Sequence, residues 1–333
     1  MHPHGRPSER MIDEEILRLL KSSPSEFVSG EEIGRHLQLT RTAVWKRIKN
    51  LRDSGYIIEA STRSGYRLVQ SPDLLLPLEI EPILETKWMG KKIHYFSILD
   101  STNTAAYQLA LRGAREGEVV IAESQEKGRG RLGRQWVSPP FSNLCLSVIL
   151  RPELPPHQAS LITFMAAVAA AGAIEDYSGL TPIIKWPNDL LLKGRKVAGL
   201  LNEIHSETDR IHFVILGMGV NLNMDEKSFP RELRTKATSL KKEMGRPVSR
   251  KHFVCSLLKE LEQWYEIFLK EGGEPVLKAW RERARIEGKR VRVTSFGEVL
   301  IGQAVDVDSD GALILRTEDE DRKRIVAGDV EYR

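Results

Sequence analysis

Gly128–Trp136 reads GRGRLGRQW, and further along Lys185–Gly199 reads KWPNDLLLKGRKVAG. The first stretch sets Arg129, Arg131 and Arg134 on a glycine-rich segment with little bulk to shield them, the composition of a mobile loop able to close over phosphate. Trp136 adds a flat face suited to stacking on a base. The second stretch predicts a turn around Pro187 with Asn188 and Asp189 at its corner, then a short basic strand carrying Lys196 beyond the Gly194 turn. Together they supply an amide, a carboxylate and an ammonium, the groups that nucleotide chemistry requires.

Gly128, Gly130 and Gly133 also satisfy the dinucleotide fingerprint G-x-G-x-x-G. That fingerprint works only where the first glycine ends a strand and the third opens an apolar helix whose N-terminus faces the pyrophosphate. Here Glu123–Lys127 separates the apolar Val119–Ala122 from the loop, and Arg134–Pro140, with two prolines, follows it. A Rossmann site is therefore excluded, while a solvated basic loop stays open on this segment alone.

The 333 residues are enough for two or three domains, and 41% hydrophobic with 29% charged residues is ordinary soluble composition. Two distant cysteines, Cys145 and Cys255, and eight scattered histidines argue for a reducing cytoplasm, without disulfide framework or protein-held metal cluster. The net charge of +4 is too small to diagnose nucleic-acid binding, so the clustering of basic residues matters more. No secretory signal is expected in Met1–Arg10. The apolar run Ala159–Ile174 falls short of the roughly 20 residues that span a bilayer, and reads as a buried core helix with no membrane role.

In the N-terminal region, Ile12, Ile16, Leu19 and Leu20 share one helical face, Ser29 caps a second helix and Thr40 a third. The third, Arg41–Arg52, turns Val44, Ile48 and Leu51 inward and most of its basic side chains outward; Gly55 stops it. Tyr56–Ala60, the polar turn Ser61–Gly65 and Tyr66–Val69 then read as a hairpin. The series is that of a winged helix-turn-helix, with Arg41, Thr42, Lys46, Arg47 and Lys49 entering the major groove and Arg63 on the wing reaching a flanking phosphate or minor groove.

Ser71–Pro82, with three prolines, reads as a linker packed by its leucines. Beyond it, strands are expected near 93–96, 119–122, 144–150, 183–186, 197–204 and 212–216, and helices near 103–111, 157–178 and 250–271. The lack of strict alternation predicts a mixed α/β sheet. From about Gly288, segments 291–293, 299–308, 312–316 and 324–332 predict short strands of a small β-barrel. Asp308–Gly311 lacks the ligand series of a calcium loop and reads as a hairpin turn.

Four ordered motifs, Ser101–Asn103 (STN), Glu123–Trp136, Lys185–Glu203 and Gly217–Asn223 (GMGVNLN), resemble the biotin–protein ligase family over nearly the whole chain. With the N-terminal DNA reader, the resemblance is to its bifunctional bacterial type, which activates biotin and represses the biotin biosynthetic operon. It implies an α+β multidomain protein: a winged helix-turn-helix (1–70), a linker (71–82), a synthetase-like ligase domain (83–271) and an SH3-like β-barrel (272–333). The implied reaction takes biotin and ATP with Mg²⁺ to biotinoyl-AMP, then transfers biotin to a lysine of the biotin carboxyl carrier protein of acetyl-CoA carboxylase. Biotinoyl-AMP would also be corepressor, joining two chains on operator DNA.

Residue by residue, the resemblance assigns catalysis to Lys196, Arg129 and Arg131. Ser101, Thr102, Asn103, Gln125, Arg129, Gly130, Arg131, Lys196 and Gly199 match biotin-pocket positions. Arg129, Arg131, Arg134, Trp136, Asn188 and Asp189 match nucleotide positions, with Trp136 on the adenine. Leu132 stands where family patterns sometimes have another arginine, leaving the loop one charge lighter. Gly217, Gly219 and Asn221 are expected to shape a strand end and loop. Lipoate–protein ligation shares the fold and mechanism, and a nucleotide-responsive transcription factor without turnover is the alternative of another class.

Overall fold

The computed structural model describes residues 9–295, 297–319 and 321–332. The chain divides into two compact units, 1–82 and 83–333.

In the first unit, helices α1 (Glu9–Ser22), α2 (Gly30–Leu37) and α3 (Arg41–Asp53) precede a hairpin of β1 (Ile57–Ser61) and β2 (Gly65–Gln70). Ser29 and Thr40 cap α2 and α3 by accepting from the N–H groups of Glu32 and Ala43, contacts worth about 1 kcal/mol each. Ile16, Leu17, Leu20, Ile33, Val44, Ile48 and Leu51 form the core. Burying side chains of this size contributes roughly 1.5–3 kcal/mol apiece, enough to fix the three helices around one centre. Residues of the expected linker belong to this core. Leu78 of the short α4 (Pro77–Ile80) joins it, and buried Glu79 lies 2.6 Å from Lys21 and accepts from the Tyr56 hydroxyl at 3.2 Å.

The second unit is built on a seven-stranded sheet in the order β3-β4-β5-β9-β8-β7-β6, antiparallel except for β3 and β4. Its strands are β3 (Ile93–Leu99), β4 (Val119–Gln125), β5 (Leu144–Leu150), β6 (Ile183–Lys185), β7 (Asp189–Leu192), β8 (Arg195–Ser206) and β9 (Ile211–Val220). Helix α5 (Thr102–Leu111) sets Ala106 and Ala110 on Val120, Ile149 and Ile215. On β8, Leu201 and Glu203 meet Asn103 of α5, while intervening Asn202 bonds Thr163 of α6 (Leu161–Ser178). The period-two alternation of a strand thus places α5 and α6 on opposite faces. Helix α6 is apolar and long enough to cross a membrane, but most of it is buried among the sheet, α8 (Arg250–Glu271) and α9 (Gly273–Ala284), as a core helix is. The short α7 (Leu240–Met244) lies between β9 and α8 in the chain.

A five-stranded antiparallel sheet completes this unit in the order β13-β12-β11-β10-β14. It comprises β10 (Arg290–Ser295), β11 (Glu298–Val307), β12 (Leu313–Thr317), β13 (Arg322–Ile325) and β14 (Asp329–Tyr332). The single strand expected over 324–332 is two, because β13 pairs with β12 and β14 with β10, on opposite edges of the sheet. The Asp308 turn is a turn: its carboxylate accepts from the N–H groups of Asp310 and Ala312 and pairs with Arg324, which together hold it below the usual carboxylate range despite burial. Gly311 at that turn has φ +82° and no side chain, so the Phe164 ring packs against it and Trp186 Nε1 donates to its carbonyl.

Candidate functional site

The α5 face of the central sheet carries a continuous polar chain. Ser101 and Thr102 begin α5, and the backbone N–H and hydroxyl of Thr102 both donate to Gln125 Oε1, at 2.8 and 3.1 Å. Ser147 on β5 bridges Thr102 Oγ1 and Asn103 Oδ1 at 2.8 and 2.7 Å. The Asn103 amide donates to the Leu201 carbonyl and to Glu203 Oε2 at 2.7 Å, and the same carboxylate oxygen accepts from Arg129 at 3.0 Å. Buried groups joined this way hold fixed directions. Thr102, Asn103 and Gln125, expected in one pocket, are thus joined in one network tied to the arginine loop, while Ser101 precedes them at the N-cap of α5 with no capping bond from its side chain.

Two glycines make this face possible. Gly217 and Gly219 lie among the last residues of β9, which ends at Val220, and their missing side chains leave room for Asn103 and for the indole of Trp136. Across from them on β8, a side chain on Gly199 would meet Lys196 Nζ at 2.9 Å and the Trp136 ring at 3.3 Å. Lys196 Nζ is 2.6 Å from Asp189 and 5.6 Å from the centre of the Trp136 ring. Asn221 donates to the Thr238 carbonyl and accepts from Asn143, ordering the segment beyond β9.

Gly128–Trp136 folds back on itself through bonds between Gly130 and Arg134 and between Trp136 and Gly128, with Leu132 left-handed and 70% exposed at the tip. Each arginine has a partner distant in sequence. Arg129 bonds Glu203 and Thr104; Arg131 donates to Asn188 Oδ1 at 3.3 Å and to the Gly328 carbonyl at 3.4 Å; Arg134 pairs with Asp329. Burial pushes the Arg131 guanidinium below its ordinary pKa, against the pull of Asp329 and Asp189. Asn188 is buried and held from behind by its own bond to the Leu200 carbonyl at 2.6 Å.

Between loop, sheet and C-terminal strands lies a cavity of about 960 Å³. Arg129, Gly130, Arg131, Arg134 and Asn188 line it together with Glu203, Phe164 and Trp186 from the central sheet and helices and Gly311 and Arg324 from the C-terminal sheet. Asp329 and Arg324 lie outside the four motifs. Glu203 ends the quoted Lys185–Glu203 motif, and on β8 it alternates onto the face of Gly199 and Leu201. Among the described residues, no group of three His, Cys, Asp or Glu side chains is set to hold a metal. Both cysteines are buried, and burial pushes their thiols up to about 11, so neither is a nucleophile at neutral pH.

On the first unit, Arg41, Thr42, Lys46 and Lys49 of α3 and Arg63 of the wing are exposed. Arg47 differs: it is half-buried, with a guanidinium nitrogen 3.8 Å from Asp13 of α1. Arg52, in the last turn of α3, donates to the Ile58 carbonyl at the foot of the wing.

Three family patterns match the chain: an HTH domain over residues 13–67, the Biotin/lipoate A/B protein ligase family over 95–221 and the Biotin protein ligase C terminal domain over 287–333. The Bifunctional ligase/repressor BirA of Bacillus subtilis is 37% identical over 320 residues, covering 96% of this chain and 98% of that protein. That of Escherichia coli is 31% identical, covering 87% and 88%. Among solved structures, a biotin protein ligase from Aquifex aeolicus in complex with biotin and ATP superimposes with a TM-score of 0.63 at 25% identity, covering 73% of this chain and 99% of that one. Identity of this level over almost the full length, with the three regions matched in order, means that the chain belongs to the family of bifunctional biotin ligase/repressors.

Proposed function

We propose that Lys196 and the arginine loop carry the chemistry of a chain that is an ATP-dependent biotin–protein ligase and a biotin-responsive transcriptional repressor. In the first half-reaction the biotin carboxylate attacks the α-phosphate of ATP, giving biotinoyl-AMP and pyrophosphate. Two anions must approach, so the site needs fixed positive charge aimed where charge develops. The observation carrying this reading is that the arginine loop is tied at two points to motif residues of the sheet: Arg129 meets Asn103 through Glu203, and Arg131 bonds Asn188, whose neighbour Asp189 pairs with Lys196. Lys196 holds the carboxylate against phosphorus, Arg129 and Arg131 grip the phosphate, and Arg134 and Trp136 hold the rest of the nucleotide. The Thr102–Gln125 and Asn103–Ser147 pairs present the donors and acceptors that orient the ureido ring. Gly130 and Gly199 keep the backbone close to the ligand.

Mg²⁺ enters as the companion of the triphosphate. A hard cation takes most of its ligands from phosphate and water, with Asp189 as the carboxylate at hand. In the second half-reaction a lysine amine of the biotin carboxyl carrier protein attacks the mixed anhydride and AMP leaves. The C-terminal strands act as an SH3-like cap on the cavity, supported by the contacts of Gly328 and Asp329 with the loop. A cytoplasmic location is supported by the use of only two cysteines, far apart in sequence.

One winged helix neutralises few phosphates, so operator binding at cellular salt needs two copies on a two-fold site. Biotinoyl-AMP fixes the arginine loop and completes the surface on which two chains associate. While acceptor protein consumes the adenylate, the chain ligates; when acceptor runs out, the complex dimerises and represses. Mass spectrometry of a carboxyl carrier domain after incubation with the chain, ATP and biotin tests ligation: a single biotin on one lysine is expected, and an unmodified domain refutes it. Sedimentation with and without the adenylate tests the switch, which an equally dimeric apo chain would overturn.

A further inference from the structure

Helix α3 carries one outward side chain that phosphate electrostatics has no use for. Trp45 is 56% exposed, while Val44 and Ile48 beside it are fully buried. At about 100° per residue, Thr42, Trp45, Lys46 and Lys49 fall within an arc of about 100°, on the far side of the helix from Val44, Ile48 and Leu51. A broad, rigid apolar ring therefore stands in a stripe whose other members are a hydroxyl and two ammonium groups. The ammonium groups account for attraction to any duplex; the indole does not.

We propose that Trp45 is a base-reading residue, which packs its indole against the 5-methyl group of a thymine in the major groove of the operator. The inference rests on the repressor reading of the first unit. Of the four bases, only thymine presents an apolar group on its major-groove edge, so an indole carried into that groove finds its complement there and nowhere else. The placement fits. Trp45 lies in the N-terminal half of α3, the part of a recognition helix that reaches base edges, one turn beyond Thr42 on the same stripe. Arg41, Lys46 and Lys49 around it, and Arg63 on the wing, are exposed and positioned to hold the flanking phosphates. The minor groove, about half as wide, does not admit the helix.

The test uses the full chain with biotin and ATP. Duplexes are enriched from a random pool, and thymines of the enriched site are replaced singly by deoxyuridine, which deletes only the methyl group. In wild type, uracil at one thymine in each half-site should weaken binding about fourfold, the worth of one buried methyl group. Trp45→Ala should bind the thymine site on the order of tenfold more weakly and be indifferent to uracil there, and Trp45→Phe should keep part of the thymine preference. Circular dichroism and thermal midpoint establish that both variants are folded. Wild type insensitive to uracil at every thymine overturns the proposal, as does a Trp45→Ala that keeps the full uracil penalty, since the indole then packs on the sugar–phosphate backbone instead. A pool that enriches no duplex overturns the repressor reading and the proposal together.

Discussion

On the arginine loop, Arg129 and Arg134 each end on a carboxylate and Arg131 on an amide and a carbonyl, all contributed from distant parts of the chain. On α3 and its wing, Arg41, Lys46, Lys49 and Arg63 are exposed, and no carboxylate among the described residues pairs with them. The same residue types are held for two tasks. Paired arginines have their directions set, and because exposed ion pairs contribute at most about 1 kcal/mol, a phosphate can take a carboxylate's place at small cost. Unpaired cations keep full attraction for a polyanion at the cost of direction, and that attraction is screened by salt. Substitutions in the loop should therefore alter chemistry at fixed substrate geometry, and substitutions on α3 should alter the salt dependence of binding.

The largest effect is expected at Lys196. Its ammonium lies between Asp189 and the Trp136 ring and is partly exposed, so the fold does not depend on it. Lys196→Ala should lower biotin-dependent pyrophosphate release by at least about 10²–10³ while the thermal midpoint stays within a few degrees, as for loss of one preorganised charge donor. Wild-type pyrophosphate release from a folded variant would remove Lys196 from the mechanism. Next comes Arg131, which bridges Asn188 and the Gly328 carbonyl. Arg131→Gly should still make adenylate but release it about tenfold to a hundredfold faster, the worth of a charge-assisted contact. Free biotinoyl-AMP and labelled bystander lysines report it, and a wild-type escape rate counts against the grip. Gly219→Ala sharpens the geometric side: its new methyl collides with Trp136, so the indole must shift. A shift of this kind costs typically about 1–3 kcal/mol of stability, which predicts a thermal midpoint lowered by roughly several degrees, and the displaced indole an ATP KM raised on the order of tenfold. An unchanged KM would place the adenine elsewhere than on this ring.

What could be read from the chain divides along the same line. Helix α8 and strand β5 have the limits expected of them, and the winged helix-turn-helix follows from caps at Ser29 and Thr40 and from apolar spacing. These are local signals. Strand β6 lies where a strand is expected, while β7 hides in the expected turn, because Asp189–Leu192 is short and continues the Pro187 corner. Helix α9 lies beyond the expected helices, although Val276, Leu277, Trp280 and Ala284 recur at helical spacing behind Pro275. The split of 324–332 depended on which strand each half pairs with, which no local pattern encodes. At the site, the motif residues were legible one by one, while their partners Glu203, Asp329 and the Gly328 carbonyl were not. They meet the loop only through the sheet and the C-terminal strands. The expected linker shows the same effect, since Leu78 and Glu79 look like connector residues until Tyr56 and Lys21 stand beside them. Removal of the DNA reader should accordingly be cut after Pro82 and not after Gln70.

The smallest effect tests the unpaired side of the comparison. Arg63 sits at the tip of the β1–β2 hairpin, where its neighbours Thr62 and Ser64 are also exposed. A residue there reaches a phosphate beside the site but no base edge shared with α3, so its contribution is charge without sequence. Arg63→Ala should weaken operator binding only a few-fold at moderate salt, equally for the operator and for unrelated duplexes, and should reduce the slope of log K against log salt by about 0.9 for each chain bound. Titrations at four or five salt concentrations, on both duplexes, measure the two quantities together. An unchanged slope would mean that the wing does not touch the phosphate backbone. A loss confined to the operator would mean that Arg63 reads a base in the minor groove, and the division between directed and undirected cations would then run through the wing itself.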